Sequence, residues 1–158
     1  MKHWRVTSRT VPQTEGSMKN QIDIQISVPK QTRYLSLIGR IGEQMAHELG
    51  GVAVDRDALG HHLNVVLTEA LVNAIKHANT TEPDREVRIR INVSDRELVI
   101  RVYDNGQGFD LDILPRGVCP DPLEEKGRGI YIIRSLMDSV EYKKANGGNV
   151  LEMRKALG

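Results

Sequence analysis

The sequence is poor in cysteine, in aromatic residues and in net charge. Cys119 is the only cysteine among 158 residues, so neither an internal disulfide bond nor a metal site of several thiolates can form. Aromatic residues make up 4% of the chain, which leaves few rings on which the bases of a single-stranded nucleic acid would stack. A net charge of +1, with Lys and Arg scattered along the chain, argues against direct nucleic-acid binding.

Long apolar runs are also absent. No stretch approaches the roughly 20 apolar residues that a membrane-spanning helix needs. Residues 1–20 are polar and lack the apolar core of a secretory signal, so we expect a mobile tail there. Residues 21–158 are long enough for one domain, and their composition is that of an ordinary globular protein. We therefore expect a cytoplasmic protein with a single folded domain and no membrane contact.

Two kinds of periodicity succeed one another along the chain. Alternation of apolar and polar residues predicts strands at 22–28, 87–93, 97–104, 140–144 and 149–154. Apolar residues at three- and four-residue steps predict helices at 31–49, 55–78 and 129–138. This order predicts an α+β fold, a two-layer sandwich in which helices cover one face of a mixed, mostly antiparallel sheet.

The second predicted helix carries a polar line. Glu69, Asn73 and His77 are spaced four residues apart, so they share one face of the helix. The segment from Leu63 to Ile75 around them is otherwise almost entirely apolar. The line is either the solvated edge of an amphipathic helix or the wall of a cleft that needs a carboxylate and an amide.

Two glycine-rich segments follow in the chain. Asp104 stands at the exit of a predicted strand, and Gly106 and Gly108 come after it. Glycines at this spacing let the backbone approach a ligand closely, although Asp-Asn-Gly is also a common hairpin turn. After a long connection over 109–126, Gly127 to Gly129 opens the third predicted helix.

Taken together, these segments resemble the motifs of the GHKL ATP-binding superfamily. That superfamily groups sensor histidine kinase catalytic domains, type II topoisomerase ATPases, a heat-shock chaperone and mismatch-repair proteins. The matching segments are Glu69 to Ala78, Val102 to Phe109 and Gly127 to Ile130. Within the superfamily, the sequence is most similar to the bacterial anti-sigma factor serine/threonine kinases, from about Ile22 to Arg154. The resemblance implies a Bergerat-type ATP-binding fold.

The resemblance also implies roles for single residues. Asp104 would accept a hydrogen bond from the adenine 6-amino group, Asn73 would offer its amide oxygen to Mg²⁺, and Glu69 would act as general base. The other residues that it places near the nucleotide are His77, Gly106, Gly108, Gly127, Arg128 and Gly129. Arg128 is either a cation for the phosphates or a solvated side chain, and His77 is either close to the phosphates or structural. The kinases often have a threonine where this chain has Asn149, whose amide can donate or accept.

The function that the resemblance implies is an ATP-dependent serine/threonine protein kinase that also acts as an anti-sigma factor. Its expected partners are an anti-anti-sigma protein that it phosphorylates and a sigma factor that it sequesters, and a homodimer is expected. One alternative is a histidine kinase catalytic domain, since Ala46 to Leu49 echoes a phospho-acceptor motif, although Gly50 and Gly51 break that motif. The other is a non-enzymatic ATP-binding regulatory module, which the presence of Glu69 disfavours because adenine binding needs no base.

Overall fold

A computed structural model describes most of the chain. The described residues are 20–76, 86–104, 127–145 and 147–158. The expected tail, apart from its last residue Asn20, lies outside them, and so do three of the predicted site residues, His77, Gly106 and Gly108.

The predicted order of elements is confirmed. The structure contains β1 (Ile22–Pro29), α1 (Leu35–His47), α2 (Arg56–Lys76), β2 (Glu86–Val93), β3 (Glu97–Asp104), α3 (Arg128–Leu136), β4 (Ser139–Ala145) and β5 (Gly148–Ala156). The first helix begins later than its apolar pattern predicts, because Thr32–Tyr34 forms a 3₁₀ turn ahead of α1. Short 3₁₀ turns are frequent at the N-termini of α-helices.

The strands form one sheet with the order β1-β2-β3-β5-β4. All four pairings among the described strands are antiparallel, in line with the expected mostly antiparallel sheet. The register aligns Ile24 with Ile91 and Ile91 with Ile100, which places the apolar half of each alternating strand on one side. The hydrophobic pattern therefore decides which face of the sheet is covered.

The helices cover that apolar side, called here the inner face. Its residues Ile89, Ile91, Ile100 and Leu151 are buried in the same core as the helical residues Ile38, Leu63, Leu67 and Ile133. The opposite, outer face carries ion pairs. Asp23 pairs with Arg90, and Glu152 pairs with both Arg101 and Arg154. The α+β two-layer architecture is confirmed.

The second helix is the central element of the inner layer. Asp55 caps it, since its Oδ1 accepts hydrogen bonds from the backbone N–H groups of Asp57 at 2.9 Å and Ala58 at 3.2 Å. The body of α2 packs against α1, α3 and β3. Any side chain on α2 that faces these neighbours is therefore held between the other helices and the sheet.

None of the helices in the described ranges is long and apolar enough to cross a membrane.

Candidate functional site

Glu69 lies against the beginning of α3. It is half-buried on α2, and its carboxylate approaches Gly129, the second residue of α3. A Cβ added at Gly129 would lie 2.7 Å from Glu69 Oε2, closer than real Cβ contacts come. The structure thus brings together the acid of the polar line and the glycine segment that opens α3, two features that the sequence placed far apart.

The two glycines of that segment are needed for different reasons. Gly127 caps α3 with φ of 87°, a left-handed conformation that an L-residue with a side chain adopts only with strain. Gly129 has ordinary helical geometry, but any side chain there would collide with Glu69. The first glycine turns the chain into the helix, and the second makes room for a carboxylate.

The start of α3 presents backbone donors. No side chain caps this helix, and the first N–H groups of any α-helix have no acceptor within it. The partial positive charge of a helix N-terminus favours anions such as phosphate or a carboxylate. Arg128 is the exposed first residue of α3 and adds a positive charge at the same end.

Asn73 lies one helical turn after Glu69 and is half-buried. Positions four apart share a helix face, so its amide follows the carboxylate along α2. Among the described residues, no three His, Cys, Asp or Glu side chains cluster as ligands for a metal ion. The amide oxygen of Asn73 is a ligand suited to Mg²⁺, which commonly takes one or two protein ligands and completes its shell with water and phosphate oxygens.

Asp104 forms a second polar centre at the end of β3. Its side chain is buried at 5% exposure, although carboxylates are rarely buried without partners. The Nδ2 of Asn149, which pairs with it on β5, donates a hydrogen bond to its Oδ1 over 3.3 Å. Since an ionised carboxylate only accepts, the amide nitrogen must be the atom that faces it. The position where the kinases often have a threonine thus supplies a donor to the acid.

Tyr142 on β4 also interacts with this carboxylate. Its hydroxyl oxygen is shielded from solvent. Burial raises the pKa of Tyr142, and the adjacent Asp104 raises it further, both through its charge and as a hydrogen-bond acceptor. No motif in the sequence singles out Tyr142. Its alternation with Val140 was the available signal, because it places a hydroxyl-bearing side chain on the inner face of the last hairpin.

The described part of the chain thus presents two chemically different centres. One is a buried carboxylate at the end of β3, which suits a ligand that donates a hydrogen bond, such as an amino group. The other is a carboxylate and an amide beside a helix N-terminus, which suits phosphate oxygens and a hard cation. Convergence of both on one nucleotide stays a prediction.

His47 is the histidine of the Ala46 to Leu49 segment, which echoes a phospho-acceptor motif. It is the last residue of α1, its side chain is 41% exposed, and its Nδ1 is 3.4 Å from Asp57 Oδ1. His47 therefore lies on the surface of the molecule at the end of α1.

Comparisons with known proteins agree with the motifs. The chain is similar to the serine-protein kinase RsbW of Bacillus subtilis (strain 168), with 31% identity over 141 residues, covering 84% of this chain and 86% of that protein. It is 30% identical over 147 residues to the serine-protein kinase RsbW of Listeria innocua serovar 6a, covering 86% of this chain and 87% of that protein. A histidine kinase domain from the blue-light activated histidine kinase of Erythrobacter litoralis EL346 aligns with a TM-score of 0.47 and 22% identity, over 82% of this chain and 62% of that one.

A family-level match covers nearly the whole described domain. Residues 28–155 match the family described as the histidine kinase-like ATPase domain. That range includes the polar line on α2, the exit of β3, the start of α3 and the terminal hairpin. The chain belongs to the histidine kinase-like ATPase domain family, as its GHKL motifs predicted.

Proposed function

We propose that this chain is an ATP- and Mg²⁺-dependent serine/threonine protein kinase. The observation that carries the proposal is the contact of Glu69 with the start of α3, because it places a carboxylate beside the helix N-terminus where phosphates bind. The relatives that cover most of the chain are named serine-protein kinases. An acid in this position is what a transfer to a hydroxyl group requires.

In the proposed reaction, the substrate hydroxyl oxygen attacks the γ-phosphorus of ATP. A new O–P bond forms, the bond from the γ-phosphorus to the β–γ bridging oxygen breaks, and ADP leaves. Glu69 orients the hydroxyl and accepts its proton. The first-turn N–H groups of α3 and Arg128 stabilise the phosphate oxygens, since phosphoryl transfer depends mainly on positioning and charge.

The donor set fits Mg²⁺. Asn73 would hold the ion through its amide oxygen, beside Glu69 and the phosphates. When bound, Mg²⁺ neutralises charge on the phosphate oxygens. The amide of Asn73 and the carboxylate of Glu69 must then be kept in place. The packing of α2 against α1, α3 and β3 supports this.

The adenine would bind at the other centre. Asp104 accepts a hydrogen bond from the 6-amino group, whereas guanine would present an oxygen to the carboxylate at that place. Two acceptors facing each other in a buried site typically cost a few kcal/mol. Gly106 and Gly108 would border the base, and His77 would lie near the phosphates at the end of the polar line.

The proposed biological role follows from the similarity to RsbW kinases. The substrate would be a small anti-anti-sigma protein, and a sigma factor would be the second partner, held inactive while bound. Phosphorylation adds a charge of about −2 to an interface, which suffices to switch partners. We further propose that the protein is cytoplasmic and acts as a homodimer, without direct contact to nucleic acid or membrane.

Replacement of the proposed base tests the catalytic role. We expect Glu69→Gln to lower transfer from labelled ATP to a panel of small anti-anti-sigma proteins by about 100-fold or more, because a general base contributes at least that much. The affinity for ATP should change by less than about 3-fold, since adenine and phosphates keep their other contacts. The matched control is Glu48→Gln, an exposed residue next to the end of α1.

The outcomes separate the possible roles. Transfer at the wild-type rate by Glu69→Gln would contradict the assignment of the base. ATP binding without transfer by the wild-type chain to any of the proteins would instead favour the non-enzymatic ATP-binding module.

A further inference from the structure

Tyr142 lies next to Asp104 although the two residues are on strands that do not pair. Tyr142 on β4 pairs with Leu151 on β5, and Leu151 pairs with Val102 on β3. Directly paired residues point to the same face of a sheet, and so do residues two apart on one strand. Tyr142 is therefore on the inner face, one step from the register position of Asp104.

The surroundings make the phenol a donor to this carboxylate. Burial and the neighbouring Asp104 raise the pKa of Tyr142 far above neutrality, so its proton stays in place under all physiological conditions. A carboxylate is acceptor-only, and a protonated phenol is its natural partner. The hydroxyl oxygen is shielded from solvent, so its electrostatic interaction with Asp104 is little screened by water.

Asn149 supplies the second protein donor, with its Nδ2 3.3 Å from Asp104 Oδ1. The carboxylate thus receives groups from β5 and from β4, on the same side of β3 in the sheet. An ionised carboxylate can accept about four hydrogen bonds, so two protein donors are compatible with a further one from a ligand. Two donors at different positions fix the plane of the group, which one donor alone does not.

We propose that Tyr142 is a positioning residue for Asp104, holding its carboxylate in the orientation that recognises the 6-amino group of a purine. The inference rests on the proposed binding of ATP and adds the residue that makes the acid selective. A buried hydroxyl is a costly way to fill an inner-face position, because it must be desolvated, whereas phenylalanine would fill the same space without that cost.

The test removes only the hydroxyl and compares two ligands. Tyr142→Phe and the wild-type chain are titrated calorimetrically with ATP and with purine riboside triphosphate, which lacks the 6-amino group. We expect the variant to bind ATP about 10-fold more weakly, as for the loss of a hydrogen bond to a charged group. Its affinity for purine riboside triphosphate should change by less than about 2-fold, because that ligand never uses the carboxylate as an acceptor.

A matched control is available on the neighbouring strand. Tyr103 precedes Asp104 but lies on the outer face, in register with Arg88, whose guanidinium carbon is 5.5 Å from the centre of its ring. Tyr103→Phe removes the same atom without touching the inner face, so it should leave both affinities unchanged.

Each result decides the question. If Tyr142→Phe lowered the affinities for both ligands equally, Tyr142 would have a merely structural role and the inference would be overturned. An unchanged preference for ATP over purine riboside triphosphate would also overturn it. Those outcomes leave ATP binding by the wild-type chain intact. A wild-type chain that binds neither ligand would instead overturn the proposed function itself.

A second measurement serves if Tyr142→Phe does not fold. The wild-type chain labelled with ¹³Cζ-tyrosine has four tyrosines, and phenylalanine variants of Tyr34, Tyr103 and Tyr131 identify the Tyr142 resonance by elimination. We expect ATP to shift that resonance more than purine riboside triphosphate does. Equal shifts with both ligands would overturn the inference.

Discussion

At the scale of single residues, the candidate site depends on how closely one carboxylate approaches a helix. Glu69 reaches α3 only because position 129 has no side chain. The acid and the helix N-terminus are therefore set in place by packing, before any ligand binds. Preorganisation of this kind is what makes a charged group effective in catalysis.

Substitution of that glycine should separate activity from stability. In Gly129→Ala the new methyl group displaces the Glu69 carboxylate, and a misplacement of about 1 Å can cost up to about 100-fold in rate. We expect transfer from labelled ATP to an anti-anti-sigma protein to fall at least 10-fold. The free energy of unfolding should change by less than about 1 kcal/mol, because alanine is the better helix former and the displaced side chain is flexible.

Gly50→Ala is the matched control, since a Cβ at Gly50 would have no heavy atom within 4 Å. Thermal denaturation and the transfer assay are measured on both variants. Full activity in Gly129→Ala would show that the position of Glu69 beside α3 does not matter for the reaction.

Single residues also mark where sequence reasoning succeeds and where it stops. The spacing of Glu69 and Asn73 and the exit of a strand at Asp104 follow from periodicity, because side-chain direction repeats regularly along helices and strands. Periodicity does not predict the contact of Glu69 with Gly129 or the approach of Tyr142 to Asp104. Both join residues that are distant in the chain, and only strand order and helix packing bring them together.

At the scale of elements, the pairing of α1 with α2 sets the position of the polar line. Gly39 and Gly42 of α1 face α2, and a Cβ at Gly42 would collide with the side chain of Leu67. The sequence predicted the apolar stripe of α1 but not this close approach, since a glycine inside a helix has no apolar signature. The two helices are held at a separation that larger residues would change.

We expect Gly42→Ala to destabilise the protein by about 1–3 kcal/mol, because overpacking a close helix interface forces its side chains or backbone to move. Urea denaturation followed by circular dichroism measures the change. Ser36→Ala, an exposed position on the same helix, is the control and should have an effect below about 0.5 kcal/mol. A neutral Gly42→Ala would mean that α1 and α2 tolerate a wider separation.

At the scale of the whole molecule, the outer face of the sheet ties four strands together by charge. Glu152 on β5 accepts hydrogen bonds from Arg101 on β3, at 2.8 Å, and from Arg154 on its own strand. Arg154 also pairs with Glu97 at 2.8 Å, and Lys143 of β4 lies 3.9 Å from Glu152. Arg101 further donates to Asn92 on β2.

This network makes stability depend on pH in a defined direction. Burial of Glu152 disfavours its charge, but the hydrogen bonds from Arg101 and Arg154 outweigh burial, and the pKa of Glu152 is lower than the ordinary 4.5. A carboxyl group whose pKa is lower in the folded state stabilises the fold above its unfolded pKa. That contribution is lost as pH falls through the folded pKa.

Comparison with Glu152→Gln isolates this contribution. The variant should have a lower free energy of unfolding than the wild-type protein at neutral pH. The difference between the two free energies should become smaller as the pH falls below about 4.5. Denaturation curves between pH 3 and pH 7 measure it, with Glu141→Gln, an exposed residue on β4, as the control. A difference in free energy of unfolding that stays constant over this range would contradict the lowered pKa of Glu152.

The fold of the whole molecule also shows how much the periodicity of the sequence can predict. Alternation and helical spacing predicted the order of the helices and strands in the described part of the chain and their layer arrangement, because burial of apolar faces decides both. They left open which strand lies at each edge. The position of β5 between β3 and β4 is set by tertiary packing and not by local periodicity. This strand order brings Asn149 beside Asp104.

We propose above that the carboxylate at the end of β3 and the acid beside α3 bind one and the same adenine nucleotide. Calorimetric titration of the full chain with ATP and with GTP, both with Mg²⁺, tests it most directly. We expect ATP to bind and GTP to bind about 100-fold more weakly, because guanine would place an oxygen against Asp104. Equal affinity for the two nucleotides, or no binding of either, would contradict it.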